Sequence, residues 1–123
     1  MLAAFLIVLA IVATTANAES CSATSDDVTV TVDDNGVASI PDTWTSVPYN
    51  AFRYCTTLGT VNFTGISKVT QIGAYAFADC PNLSSTGMLP ESVTSIGDHA
   101  YSNTPAMMQM QLSGSKVTTI GMY

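Results

Sequence analysis

The sequence predicts a solenoid of stacked coils, with short parallel strands on one face and turns or short helical segments on the other. Three observations support this prediction: apolar residues recur at a fixed interval, strand-like alternation recurs within each interval, and a glycine follows most of the repeated apolar pairs. Counted at Val47, Ile72, Ile96 and Ile120, the interval is 25, 24 and 24 residues. Internal periods of about 20 to 50 residues are typical of solenoids, in which each unit buries its apolar side against its neighbours.

Each unit carries the same residue types at the same positions. We expect these residues to form columns in the core, because stacked coils bring equivalent positions together. The core columns are Ala51, Ala76 and Ala100; Phe52, Phe77 and Tyr101; and Leu58, Leu83 and Met107. Gly73, Gly97 and Gly121 follow the apolar pair that ends each unit and predict a tight turn there, where the first unit has Pro48.

A short strand is predicted after the third core column. Val61 and Phe63 lie three and five residues beyond Leu58, and Met110 and Leu112 repeat this LxxLxL spacing in the third unit. Alternation along a strand then directs the intervening polar residues to solvent.

The repeated pattern [VI]-T-x-[IV]-G-x-x-A-[FY]-x-x-C, followed by LxxLxL, resembles the BspA-like family of leucine-rich repeats, also called the Treponema-type repeat. The resemblance covers roughly Ile40 to Tyr123, and the segment QIGAYAFADCPNL is a close match to the family's repeat. It implies a leucine-rich-repeat solenoid. It also implies adhesion, since proteins of this family are surface proteins associated with binding host or matrix proteins.

The second unit departs from the repeat, because Thr86 replaces an apolar strand residue. Its strand is expected to bury either Thr86 and Met88 or Gly87 and Leu89. Thr104 also stands where the first two units have cysteine. These departures affect the register of single strands and not the fold.

Three regions are predicted along the chain. Residues 1–18 form a signal peptide, because the apolar run from Leu2 to Ala13 is shorter than a membrane span and Ala16-Asn17-Ala18 supplies a cleavage site. Residues 19–42 form an N-terminal segment, and residues 43–123 form about three repeats whose C-terminal end is expected to be truncated. The predicted location is outside the cell or on its surface, without membrane insertion after cleavage.

A β-hairpin is predicted within the N-terminal segment. Val28, Val30 and Val32 alternate with threonines, and Asp34-Asn35-Gly36 is a strong turn signal. We expect this hairpin to cap the first coil. Trp44 is expected in a core position.

The three cysteines, Cys21, Cys55 and Cys80, leave two alternatives open. Cys55 and Cys80 are equivalent in the repeat, so they could form a disulfide between adjacent coils or remain buried thiols, of which the thiols are favoured. Cys21 could pair outside this sequence. An odd number of cysteines is not the framework of a small disulfide-stapled domain.

The composition argues against nucleic-acid binding and catalysis. The formal net charge is −6, and Arg53, Lys68 and Lys116 are too few and scattered to neutralise phosphates. His99 is the one histidine, and we interpret it as a solvent-facing spacer, so no catalytic residues are predicted.

No cofactor or metal is expected either. Asp33, Asn35 and Gly36 imitate the middle of a calcium loop, but its spacing would place Thr31 and Asp42 at the two end ligands. Threonine is a poor first ligand, and a turn accounts for the same residues.

The predicted function is a binding or adhesion module that presents the strand face to an extracellular protein or glycan. The residues expected on that face are Thr60, Asn62, Thr64, Gln109, Gln111 and Ser113. Asn62 and Asn82 begin possible N-glycosylation sequons, and a glycan on Asn62 would cover the face. The alternatives are a structural wall or matrix component without a discrete ligand and an accessory repeat region of a larger enzyme.

Overall fold

The computed structural model describes residues 21–108, 110–112 and 116–122. Within these ranges the chain forms eight strands and no helix, and the segments between the strands are turns, bends and irregular backbone. The strands are β1 (Ser22–Ser25), β2 (Val28–Thr31), β3 (Val37–Ile40), β4 (Ser46–Val47), β5 (Thr60–Phe63), β6 (Gln71–Ile72), β7 (Ser95–Ile96) and β8 (Thr119–Ile120). The same ranges contain no helix with the length and hydropathy of a membrane span. The predicted signal peptide, residues 1–18, lies outside the described residues.

Four of the strands form one parallel sheet in the order β4-β6-β7-β8. Its register aligns Val47 with Ile72, Ile72 with Ile96, and Ile96 with Ile120. Each strand therefore belongs to a different repeat, and the predicted interval is confirmed as the step from one strand to the next.

The core lies between this sheet and the turns, and an aromatic stack runs through it. Phe77 is fully buried, with its ring nearly parallel to Phe52 at 5.7 Å on one side and to Tyr101 at 5.2 Å on the other. Leu58 and Leu83 are also fully buried. The predicted aromatic column is confirmed, because its rings from successive repeats stack on each other. In the leucine column, the predicted burial is confirmed for Leu58 and Leu83, whereas Met107 is half-buried.

The predicted tight turns begin at these glycines, since the nitrogens of Ala76 and Ala100 donate to the carbonyls of Gly73 and Gly97 at 3.2 Å, but glycine itself is required for a different reason. A Cβ at Gly73 would lie 2.7 Å from the backbone of Pro48 and Tyr49, and one at Gly97 would lie 2.5 Å from the nitrogen of Ala74. Their φ angles are not in the left-handed region. Glycine is needed here because the backbone of the preceding coil packs against this position.

The strand with LxxLxL spacing belongs to a second sheet. In it β5 pairs in parallel with β3, aligning Val61 with Ala38, and an isolated bridge joins Thr60 to Ser85 on the other side. Val61 and Ala38 are both fully buried, as alternation requires.

The second unit follows neither of its two predicted strand patterns. Thr86 is 2% exposed and Leu89 is 1% exposed, whereas Met88 is 64% exposed. Gly87 lies between them with a φ of +59°, a left-handed conformation that glycine adopts readily. This local bend interrupts the alternation, so two residues separate the buried side chains instead of one.

The predicted N-terminal hairpin is wrong in its strand pairing. The antiparallel pair is β1 with β2, joined by Asp26 and Asp27, which are both in the left-handed conformation of a two-residue hairpin turn. The chain does turn near Gly36, but β3 then pairs with β5 and not with β2. Asn35-Gly36 specifies a local turn, whereas the pairing of β3 is determined by the parallel stacking of the repeats.

The N-terminal hairpin is held to the first repeat by two side chains. The indole Nε1 of Trp44, which is fully buried as predicted, donates to the carbonyl of Val28 at 3.0 Å. Asp26 Oδ2 accepts hydrogen bonds from the backbone nitrogen and the hydroxyl of Thr45, at 2.8 and 3.0 Å.

The contact at Asp26 continues a column of hydrogen bonds that links the coils. The backbone nitrogen of Thr70 donates to Thr45, that of Thr94 to Thr70, and that of Thr118 to Thr94, each to a carbonyl at 2.9 Å. Asp26 thus supplies the acceptor that a carbonyl supplies at the other steps. Its hydrogen bonds from Thr45 lower the pKa of Asp26 below its ordinary value.

The disulfide differs from every predicted arrangement, because Cys21 and Cys55 are bonded to each other. Their Cα atoms are 5.6 Å apart, and the bridge joins the segment before β1 to the first repeat across 34 positions. Cys80 is a buried thiol, as favoured for it, and its Sγ donates to the carbonyl of Phe52 at 3.0 Å. The sequence could not show this pairing, since it depends on where the N-terminal segment folds.

Candidate binding surfaces

The predicted strand face is partly described by the structure. Asn62 and Thr64 are exposed, Thr60 is half-buried, and Gln111 is exposed beside the second unit. The hydroxyl of Thr64 donates to the carbonyl of Ile40 at 3.0 Å, so it is already engaged. Gln109 and Ser113 lie outside the described residues.

In the second unit, Met88 adds an apolar side chain to this face. An isolated parallel bridge joins Met88 to Gln111, and a Cβ on the neighbouring Gly87 would lie 3.6 Å from Asn62 Oδ1. Met88 is 64% exposed, and Ile66, in the segment after β5, is 90% exposed. The first and third units led us to expect a purely polar face, but the structure adds an exposed methionine that pairs with Gln111.

Below Met88 the surface is concave. The walls of this groove are formed mainly by apolar side chains, with polar residues at the rim. They are Phe63, Ile66, Met88, Leu89 and Pro90, with Ser67, Glu91 and Ser92 among the rim residues. The bend at Gly87 opens the groove, because it turns Met88 outward and leaves Leu89 as the floor.

A second surface lies on the turn side of the coils. We name it the aromatic patch, and it consists of Tyr49, Tyr54, Tyr75 and His99. The rings of Tyr75 and His99 are stacked at 5.0 Å, and Tyr49 meets Tyr75 edge to face at 6.1 Å. Tyr49 and Tyr54 are 64% and 63% exposed. Exposed tyrosines that are ordered by packing are typical of protein-binding surfaces.

Two positions in each turn segment hold residues with a left-handed backbone conformation, and these residues orient the patch. The two sets are Asn50, Tyr75 and His99, with φ of 57°, 56° and 55°, and Tyr54, Asp79 and Asn103, with φ of 63°, 57° and 54°. Between these positions the turn segments are hydrogen-bonded to each other, for example from the nitrogen of Phe52 to the carbonyl of Ala76 at 2.7 Å. The rings are thus fixed by backbone contacts between coils.

Arg53 connects the patch to the polar residues beside it. Its guanidinium carbon lies 4.6 Å from the ring centre of Tyr54 and 4.4 Å from that of Tyr75, while its Nε donates to Asp79 Oδ2 at 3.3 Å. The other oxygen of Asp79 accepts from the amide of Asn103 at 3.0 Å. The hydrogen bond from Asn103, followed by the contact with Arg53, lowers the pKa of Asp79.

A family model described as a BspA type leucine rich repeat region (6 copies) matches residues 37–123. The chain belongs to the BspA-type leucine-rich-repeat family. The predicted resemblance is confirmed, and the match begins at β3, the strand that pairs with the first LxxLxL strand. Comparisons with curated proteins and with solved structures gave no significant match.

The two predicted sequons differ in accessibility within this BspA-type repeat. The amide of Asn82 donates to the carbonyl of Thr56 at 2.6 Å, so attachment of a glycan would break a hydrogen bond between coils. Asn62 is exposed, and its amide has no side-chain hydrogen bond to another described residue. Of the two, Asn62 is the better placed acceptor.

Groups that could support chemistry are engaged in the fold of the BspA-type repeats. Burial raises the pKa of the Cys80 thiol to about 11, so it is protonated at neutral pH. Asp33 Oδ1 accepts from the nitrogens of Asn35 and Val37 at 2.8 and 3.0 Å, as in a turn. In the part of the chain that the structure describes, no three His, Cys, Asp or Glu side chains are grouped to hold a metal ion.

The aromatic patch is not among the predicted site residues, and the sequence analysis interpreted its His99 as a solvent-facing spacer. Four of the six left-handed positions carry Asn, Asp or His, the side chains that most readily adopt this conformation after glycine. Their recurrence on both sides of the alanine–aromatic core pair was a usable signal. His99 is half-buried against Tyr75 and is not a freely solvated spacer.

Proposed function

We propose that this protein is a secreted or cell-surface binding module, built as a leucine-rich-repeat solenoid, that holds an extracellular protein on its strand face. The observation that carries the proposal is Met88, which is exposed beside Gln111 and lines an apolar groove. Catalysis is not part of the proposed role.

The groove supports a protein as the partner. An exposed methionine adapts its shape to a bound surface and is common at binding sites that accept varied partners. Amide side chains around it can donate and accept hydrogen bonds without attracting ions. Such an apolar centre with an uncharged polar rim has the anatomy of a protein interface.

Two features support an extracellular location. The disulfide between Cys21 and Cys55 is the kind of cross-link that persists in oxidising compartments. The predicted signal peptide, residues 1–18, has the apolar run and small residues of an exported precursor. N-terminal sequencing of secreted material should begin at Glu19, and retention of Met1 in a membrane pellet would contradict export.

Adhesion of purified protein to immobilised matrix proteins tests the strand face. We expect replacement of Asn62 and Gln111 by lysine, together with Met88→Ser, to abolish binding, because the change adds charge and removes the apolar centre. The protein is produced without glycosylation, so that Asn62 is free.

The matched control is Gln71→Lys, an exposed residue on the other sheet, which should leave adhesion unchanged. Circular dichroism verifies that each variant is folded. Binding of the folded triple variant at wild-type strength would refute the strand face as the site.

A further inference from the structure

We propose that the groove below Met88 takes a segment of the partner protein in which a large apolar residue is followed by lysine or arginine. This inference rests on the proposed function, because it specifies the chemistry of the partner at the same groove. The apolar side chain fills the groove, and the cation pairs with Glu91 at the rim.

The lining of the groove suits a large apolar side chain. The groove has a volume of about 530 Å³, and its apolar residues include Phe63, Met88 and Leu89. A methionine sulfur makes favourable contacts with an aromatic ring, and a second ring can pack on Phe63. These residues therefore bind an aromatic or large aliphatic side chain better than a small or polar one.

Glu91 is the polar side chain of the lining that keeps its full capacity to bind. The hydroxyl of Ser92 donates to the carbonyl of Val69 at 2.6 Å, and the hydroxyl of Ser67 accepts from the nitrogen of Val69 at 3.2 Å. Both serines are thus engaged with the backbone. The carboxylate of Glu91 is exposed and forms no ion pair with another described residue.

A second carboxylate lies beside the groove. Asp42 Oδ2 is 3.5 Å from the position that a Cβ on Gly65 would occupy, and Gly65 lines the groove. Asp42 is exposed, and it too has no ion pair within the described ranges. Two carboxylates near one groove attract a positively charged group.

The basic residues near this sheet do not neutralise the two carboxylates. Lys68 is exposed and follows Ser67, but it is not one of the residues that line the groove. Arg53 is paired with Asp79 on the turn side. The amide side chains beside Met88 carry no charge, so a cation at Glu91 has to come from the partner.

NMR titration of the 15N-labelled protein, with its disulfide formed, tests this proposal. The probe is a short, acetylated and amidated glycine–serine peptide that contains one phenylalanine–lysine pair. Two comparison peptides carry phenylalanine–glutamine or serine–lysine at the same place. At about 0.15 M salt, we expect the phenylalanine–lysine peptide to shift the amide signals of Ser67, Leu89 and Glu91 in a saturable manner.

The comparison peptides separate the two parts of the recognition. The phenylalanine–glutamine peptide should bind about two- to fivefold more weakly, the effect of one exposed ion pair. The serine–lysine peptide should leave the same signals almost unchanged, because it lacks the side chain that fills the groove.

One variant and one matched control identify the carboxylate. Glu91→Gln should weaken binding of the phenylalanine–lysine peptide about two- to fivefold and leave binding of the phenylalanine–glutamine peptide unchanged. Asp34→Asn changes the net charge by the same amount at an exposed residue. It precedes β3, whereas the groove lies at the far end of the paired strand β5, so its effect should be smaller.

Equal affinity for the phenylalanine–lysine and phenylalanine–glutamine peptides would overturn the required cation, while the groove would stay supported as an apolar site of the proposed function. Equal losses in Glu91→Gln and Asp34→Asn would attribute the preference to net charge and overturn it as well. The absence of shifts in the groove would overturn the groove as the docking site. In that case, loss of adhesion in the strand-face variant would still support the proposed function.

Discussion

The stacked rings of Phe52, Phe77 and Tyr101 allow the energetic role of the aromatic column to be measured. Phe77 is 0% exposed and contacts a ring on each side, whereas Phe52 is 1% exposed and stacks on Phe77 alone. Truncation of a buried phenylalanine to alanine costs about 3 to 5 kcal/mol. An aromatic pair contributes about 0.5 to 1.5 kcal/mol beyond its buried area. We therefore expect Phe77→Ala to lower the free energy of unfolding by about 1 kcal/mol more than Phe52→Ala.

Urea denaturation followed by circular dichroism gives the two free energies. Folded domains of this size have about 5 to 15 kcal/mol of stability, so an alanine variant could be unfolded at the start. Phe77→Leu and Phe52→Leu then serve as a milder pair with the same expected order. Asp34→Asn is the control, since its exposed side chain lies outside the column. A loss at Phe52 equal to or greater than that at Phe77 would refute the stacking argument.

Three further perturbations have defined outcomes. Tyr101→Phe should raise the free energy of unfolding by about 1 kcal/mol, because the Tyr101 hydroxyl is buried without a hydrogen-bond partner among the described residues; an unchanged urea midpoint would contradict this. Reduction of the Cys21–Cys55 disulfide should remove about 4 kcal/mol, as expected for a loop of 34 positions, and coincident urea curves with and without reductant would exclude it. The pKa of Asp26 is lower in the folded protein than its ordinary 3.8. Its stabilising contribution is therefore present above that value and is lost as the pH falls through the folded pKa. Asp26→Asn should weaken this acid dependence, which is measured as the urea midpoint between about pH 5 and pH 2.

Much of the repeat could be predicted, because it depends on periodicity alone. The residues at Val47, Ile72 and Ile96 are equivalent in sequence and adjacent in the parallel sheet. An apolar interval repeated along the chain has one simple solution, in which each unit buries its side chains against the next.

Features that depend on a distant partner could not be predicted. The segment that ends at Gly36 has the sequence of a hairpin turn, yet β3 pairs with β5, more than 20 residues later. The pairing of Cys21 with Cys55 likewise follows from the position of the N-terminal segment and not from the repeat. In both cases the local sequence does not show which distant segment the chain contacts, because these contacts form only when the repeats stack.

The binding surfaces could be predicted in part. Asn62 is on the predicted exposed side of its strand, but the outward position of Met88 depends on a bend at a single glycine, Gly87. The contacts within the aromatic patch depend on which positions share a column on the turn side. The sequence contained that spacing, whereas the stacking of Tyr75 on His99 became apparent in the structure.

The close backbone contact at Gly73 and Gly97 has a consequence for lengthening the array by gene duplication. Pro48 occupies the same position but follows β4, the first strand of its sheet, so among the described residues no preceding coil of that sheet packs against it. A copy of the first unit inserted into the interior would carry the proline ring into a space where even a Cβ collides with backbone. Units beginning at Gly73 or Gly97 can be copied in tandem without this collision, whereas a copied first unit would require Pro48→Gly.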